Sequence, residues 1–172
     1  MTESAPAPVT VRRIRPGEGQ RWRALRLRAL ADTPAAYVDT VESARARPES
    51  AWHDAVARLS AGCDGALFIA ESGADWVGVA GGFADEHGGT TVFTVFVEPA
   101  TRGRGVVDGL IDAVADWSAR CGRHNLSLEV GVENPRAHAA YRRLGFAATG
   151  ASRPHPLYPE LTEIEMVRPV IG

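Results

Sequence analysis

Val9, Val11 and Arg13 alternate with Thr10, Arg12 and Ile14, a period of two that predicts a strand over Val9 to Arg15, stopped by Pro16-Gly17. The period then lengthens. Trp22, Leu25, Ala29 and Leu30 recur at helical spacing between arginines, predicting a helix over Glu18 to Asp32 that Thr33-Pro34 ends. Residues 35–48 read as irregular or partly helical. Pro48 opens a second helix, with Trp52, Val56 and Leu59 on one face and Gly62 as its stop.

Strand patterns follow at Ala66 to Ala70, Trp76 to Phe83 and Thr91 to Val97, the last β-branched or aromatic throughout. Gly73-Ala74-Asp75 and His87-Gly88-Gly89 mark the turns between them. A third helix, Arg104 to Arg120, carries Val107, Leu110, Ile111, Val114 and Trp117 on one face. Next come a strand over Leu126 to Val132 and a short helix from Asn134 to Leu144. Strands near Phe146 to Thr149 and Glu163 to Val167 close the chain, either side of the Pro-rich segment Pro154 to Pro159. The order β-α-α-β-β-β-α-β-α-β-β predicts an α/β fold with a mixed sheet. One crossover helix joins Thr91–Val97 to Leu126–Val132, so that pair should be parallel.

Composition narrows the function classes. With 172 residues and 45% hydrophobic content, the chain suits one domain, expected over 9–172 behind a loose tail at 1–8. No apolar run approaches the roughly 18 residues of a membrane span. Met1 to Thr10 lacks a basic stretch followed by an apolar one, so no signal peptide is read and the cytoplasm is the expected location. A net charge of −2 gives no basis for nucleic-acid binding. All 19 basic residues are arginine, whose forked guanidinium favours phosphate and carboxylate partners, although a coding bias accounts for the same count. The two cysteines, Cys63 and Cys121, are far apart and form no C-x-x-C pair, so neither a disulfide nor a zinc site is expected. His53, beside Asp54, reads as a surface residue, and no metal is expected.

The densest chemistry lies where the strongest strand meets its helix: Val97-Glu98-Pro99-Ala100-Thr101-Arg102-Gly103-Arg104-Gly105-Val106-Val107-Asp108. Glycines let backbone N–H groups approach a ligand, a helix N-terminus adds unpaired donors and a positive dipole end, and Arg102 and Arg104 add charge. This is a pattern for holding pyrophosphate. It is neither a Walker loop nor a full G-x-G-x-x-G fingerprint.

This turn resembles the coenzyme A loop of the GNAT superfamily of N-acetyltransferases, Arg/Gln-x-x-Gly-x-Gly/Ala, read here as Arg102-Gly103-Arg104-Gly105-Val106-Val107. Val107 departs from the pattern. It stands where the family has Gly or Ala, and either crowds the ligand or extends the apolar face through Leu110, Ile111 and Val114. Further along, Asn134, Ala137, Tyr141, Gly145 and Phe146 are similar to the family's second signature, Asn-x-x-Ala-x-x-x-Tyr-x-x-x-Gly-Phe. Local pattern also allows Asn134 as a helix N-cap before Pro135, Gly145 as a helix stop and Tyr141 as a core residue.

The resemblance implies a GNAT-like fold, a mostly antiparallel central sheet with one splayed parallel pair flanked by four helices. It implies transfer of an acetyl group from acetyl-CoA to a primary amine, on a small molecule or a protein N-terminus, in a ternary complex without metal. Val95, Phe96 and Val97 would line the pantetheine arm, with Val97 N–H polarising the carbonyl. Residues 102–108, Asn134 and Tyr141 would complete the cofactor site. Tyr141 would be the general acid. Glu129, twelve residues before it, is the leading base, ahead of Glu133 and Glu98, although a carboxylate paired with an arginine is the plain alternative. Tyr37, Trp52, His155 and Tyr158 are candidates for the acceptor pocket, and a homodimer is compatible with the family. The competing readings keep the fold but change the donor, to a longer acyl-CoA, a carrier-protein thioester or an aminoacyl-tRNA, or lose turnover and leave a CoA-binding module.

Overall fold

The computed structural model describes residues 5–170; residues 1–4 of the expected tail lie outside them. The elements are β1 (Val9–Arg13), α1 (Gly19–Asp32), a 3-10 turn (Pro34–Ala36), α2 (Val41–Ala46), α3 (Glu49–Leu59), β2 (Gly65–Ser72), β3 (Asp75–Ala84), β4 (Thr90–Val97), a second 3-10 turn (Pro99–Thr101), α4 (Val106–Arg120), β5 (Asn125–Gly131), α5 (Pro135–Arg143), β6 (Ala147–Pro154) and β7 (Thr162–Pro169). The expected count of four helices is corrected to five among the described residues. The extra one, α2, is a short helix in the stretch read as partly helical, capped where Thr40 accepts a hydrogen bond from Ser43 N–H at 3.1 Å.

All seven strands form one sheet in the order β1-β2-β3-β4-β5-β7-β6. Every neighbouring pair is antiparallel except β4 and β5, the pair expected to be parallel. These two touch only at their starts, Thr90 opposite Leu126 and Thr91 opposite Ser127, and then diverge.

The sheet separates two cores. Ala66, Phe68 and Ala70 of β2 face α4, packing with Leu110, Ile111, Val114 and Trp117. Leu67 and Ile69 face the other way, against Trp22, Leu25 and Ala29 of α1 and Trp52 and Val56 of α3. A strand buried on both faces reads as a continuous apolar run, as β2 and β3 do. Gly78 of β3 leaves room for α4: a Cβ there would meet Leu110 Cδ1, Phe96 O and Val106 Cγ1 at 3.1, 3.1 and 3.2 Å.

The expectation that the cysteines stay apart is corrected. Cys63 and Cys121 form a disulfide spanning 58 residues. Their separation along the chain is no guide, because the loop entering β2 folds onto the last turn of α4. Side chains fasten the same loop: Arg13 donates to Leu59 O, Gly62 O and Gly65 O, Trp117 Nε1 to Gly62 O, and Arg123 to Cys63 O. Among the described residues no helix is long and apolar enough to cross a membrane.

Candidate active site

The gap between β4 and β5 opens into a cleft of about 1190 Å³. Its origin is a bulge in β4. Phe93 pairs with Gly81 of β3 and Phe96 with Val79, so Thr94 and Val95 together oppose Ala80. Thr94 is held at φ 54°, the one non-glycine residue with positive φ among those described, where a β-branched side chain is strained. Two side chains from the α1 side hold the bulge. Arg26 Nη1 donates to Thr94 Oγ1, and the Tyr37 hydroxyl donates to Val95 O at 3.1 Å.

The bulge decides which backbone groups face the gap. Glu98 N–H bonds Val77 O of β3 at 2.8 Å. By the alternation of an antiparallel ladder, Phe96 also turns its N–H to β3, while Val97 turns its N–H to the gap. The three residues expected to line the cofactor arm therefore divide. Val95 and Val97 present backbone to the gap, while Phe96 pairs with Val79 and buries its ring in the α1–α3 core.

At the head of the cleft, Gly103 and Gly105 adopt left-handed φ of 81° and 76°, conformations that favour glycine. Gly105 caps α4, so the helix begins at Val106 rather than at the expected Arg104. The first intrahelical bond is Gly109 N–H to Gly105 O, 3.2 Å. The six consecutive N–H groups from Gly103 to Asp108 find no acceptor among the described residues. Aligned at a helix N-terminus, they form a cradle for an anion.

The predicted arginines contribute less than their charge suggests. Arg102 is tied down, its Nε to Val97 O at 3.0 Å and its Nη2 to Asp32 at 2.7 Å. Arg104 is exposed, the one residue of the predicted cofactor site that does not line the cleft. Asp108 pairs with Arg143 of α5 at 2.6 Å. Val107 both lines the cleft and packs partly against the α4 core, so the two roles weighed for it coexist.

Across the gap, Asn134 caps α5 by accepting from Ala137 N–H at 3.1 Å, with Pro135 at the first helical position. Two turns on, Tyr141 lines the cleft, its ring edge-on to Phe146 at 5.7 Å. Its hydroxyl has no hydrogen-bond partner among the described residues, and burial pushes its pKa up to about 12.

Glu129 projects from β5 into the same cleft, partly exposed. Desolvation raises its pKa against the opposing pull of Arg153, 3.9 Å away. Arg153 also bonds Glu163 at 3.1 Å. Glu163 is buried, with His155 Nε2 at 3.7 Å from its other oxygen. His155 Nδ1 accepts from Leu157 and Tyr158 N–H, leaving Nε2 to face the carboxylate. Gly131, Glu163 and Arg153 lie in one row across β5, β7 and β6. The Glu133 carboxylate folds over the bare Cα of Gly131.

Of the four acceptor-pocket candidates, only Tyr37 lines the cleft. Trp52 is buried between α1 and α3, edge-on to Trp22. His155 is buried behind Glu163, with Tyr158 beside it. Among the alternative bases, Glu133 lines the cleft, whereas Glu98 is paired with Arg28 at 2.6 Å in a different groove. Sequence reasoning missed Thr94, Arg26, Arg153 and Glu163. The bulge did leave a trace: in Val92-Phe93-Thr94-Val95-Phe96 the apolar pairs repeat every three residues, not two.

Comparison with known proteins agrees with this geometry. The acetyltransferase (GNAT) family matches residues 28–146. The mycothiol acetyltransferase of Clavibacter sepedonicus is 32% identical over 142 residues, covering 82% of this chain and 43% of that protein. The chain thus spans less than half the length of the mycothiol acetyltransferases it matches. The aminoglycoside N(6')-acetyltransferase type 1 of Stenotrophomonas maltophilia is 30% identical over 161 residues, covering 87% of this chain and 91% of that one. The crystal structure of spermidine N-acetyltransferase from Vibrio cholerae in complex with CoA and spermine superposes with a TM-score of 0.75 at 17% identity, covering 94% and 95% of the two chains, a likeness of fold. On the family match, its two named relatives and the shared fold, this chain belongs to the GNAT acetyltransferase family.

Proposed function

We propose that residues 9–172 act as one domain that transfers an acetyl group from acetyl-CoA to a primary amine, with both substrates bound together. The observation that carries this reading is the run of six unpaired N–H groups beside a splayed strand pair. Residues 103–108 would hold the pyrophosphate, and Val95 and Val97 the pantetheine arm. The relatives' names support N-acetylation, and one structural neighbour holds CoA.

Acetyl-CoA supplies an acyl thioester, activated toward an amine. An alkyl ammonium has a pKa near ~10 and must lose a proton before it attacks. Glu129 takes that proton: its raised pKa strengthens it as a base, and its partial exposure lets the proton leave to water. Val97 N–H, aimed into the gap, polarises the thioester carbonyl. Tyr141, with its pKa pushed up to about 12, keeps its proton at neutral pH and donates it to the departing sulfur.

The test is acetyl-CoA binding by calorimetry, followed by thiol release across an amine library. Micromolar binding, about −8 kcal/mol, with amine-dependent thiol release is the expected result. Binding without release to any amine would overturn the reading.

A further inference from the structure

The acceptor end of the cleft is electrically polarised. On the β5–β7 side stand the carboxylates of Glu129, Glu133 and Glu163 with Arg153 beside them, while Arg136 and Arg143 line the cleft further along, on α5, Arg143 paired with Asp108. On the opposite wall, built by α1 and the segment through Val38, the charged residue lining the cleft is Arg26.

Arg26 is poorly neutralised. Its side chain is 14% exposed, and its nearest carboxylate oxygen, on Asp39, lies 3.4 Å away. That same oxygen accepts from Arg47 at 2.7 Å, so one buried carboxylate serves two guanidinium groups. The other named bond of Arg26 goes to the neutral hydroxyl of Thr94. A guanidinium has five N–H donors, so several remain for a ligand. Burial pulls its pKa down against the pull of Asp39, and its guanidinium lies 4.9 Å over the Tyr37 ring.

A purely cationic acceptor would satisfy the acidic wall and set like charge against Arg26 where water is scarce. A molecule with both signs meets both walls. We propose that the acceptor is a small zwitterion of the amino-acid type. Its amine lies toward Glu129, and its carboxylate pairs with Arg26. This assignment rests on the amine-acetylation reading above and names its substrate class. Arg26 forms a forked pair with the carboxylate, while its bond to Thr94 places that pair at the bulge that opens the cleft.

The probes are the common amino acids, the carboxamide of each, and 1,4-diaminobutane, assayed by thiol release with acetyl-CoA. At least one amino acid should be acetylated with kcat/KM ten-fold or more above its own carboxamide and above the diamine. In Arg26→Met, checked for folding by its thermal midpoint, that ratio should collapse toward one through a rise in the KM of the acid. Arg26→Lys, which keeps the charge but loses the fork, should retain part of it. Carboxamides or the diamine acetylated as well as the acids, or a ratio that Arg26→Met leaves intact, would overturn the assignment and leave amine acetylation standing. Thiol release to no amine, in this panel or in the wider library, would overturn both.

Discussion

The two ends of α4 solve the same problem in opposite ways. At the C-terminal end the backbone is tied off. Cys121 N–H reaches Trp117 O and Ser118 O, and Gly122 and Arg123 N–H bond Ala119 O and Ser118 O. The adjoining loop is held by a disulfide, by Trp117 and by two arginines. At the N-terminal end, 15 residues away, six N–H groups are left without a protein acceptor. Buried backbone donors are rarely left unpaired, so an unpaired run is tolerated only where solvent or a ligand reaches it. One end of the helix anchors the fold, and the other leaves its donors open to solvent or to a ligand. Removing a group that only faces the cleft at the open end should alter turnover at constant stability, and changes at the closed end should do the reverse.

The largest departure from this division would come from Tyr141, which lines the cleft at the open end. Tyr141→Phe removes a hydroxyl with no protein partner and keeps the ring packed on Phe146. We expect kcat to fall by about 10²–10⁴-fold, the usual worth of a general acid, with acetyl-CoA affinity and thermal midpoint unchanged. Steady-state kinetics beside calorimetry separates the three. An unchanged kcat would remove Tyr141 from the chemistry.

At the closed end, replacing Cys63 and Cys121 together by Ser should cost about 4 kcal/mol, from the loop-closure entropy of the 58 residues the disulfide spans. Chemical denaturation measures it. Because the arginine and tryptophan contacts still fasten the loop, kcat/KM below the melting transition should stay at the parent value. A fall in turnover while the protein remains folded would mean that the two ends of α4 are coupled.

A smaller effect concerns protons. If Glu129 is the base, activity must rise with pH as its carboxyl ionises, and desolvation sets that limb above the ordinary carboxylate range. Arg153 opposes the shift by favouring the ionised form. Arg153→Gln should therefore move the acid limb of kcat/KM to higher pH, and Glu129→Gln should abolish the limb. A limb that moves to lower pH, or not at all, would assign it to another group.

The open end was far more legible in the sequence than the closed one. Gly103, Gly105 and the helix after them are local, and glycine at a strand-to-helix turn has few other uses. Asn134 and Pro135 likewise state a helix start within two residues. The disulfide depends on two loops meeting across the fold, which no local spacing reports. The charge partners were hidden for the same reason. Arg26, Glu163 and Arg153 become site residues only through strand register and the packing of α1 over the splayed gap. The bulge lies between these cases. The triplet Val-Phe-Thr, Val-Phe-Val in β4 breaks the period of two, which places Val92 and Val95 on the α4 face and Phe93 and Phe96 on the other. Read as simple alternation, it gives a strand that never parts from β5.

The smallest expected effect is at Val107, where the chain departs from the family's Gly or Ala. Its N–H is one of the six unpaired donors, whatever the side chain. The side chain itself packs partly on the α4 core as well as lining the cleft. Val107→Gly should therefore change acetyl-CoA affinity by less than about threefold. It should also lower stability by about 0.5–1 kcal/mol, since glycine weakens a helix and the lost methyls leave the core. Calorimetry and denaturation on the same pair of proteins test both. A large gain in affinity would mean that the valine stands in the path of the pyrophosphate, and that the open end of α4 is narrower for acetyl-CoA than its unpaired donors suggest.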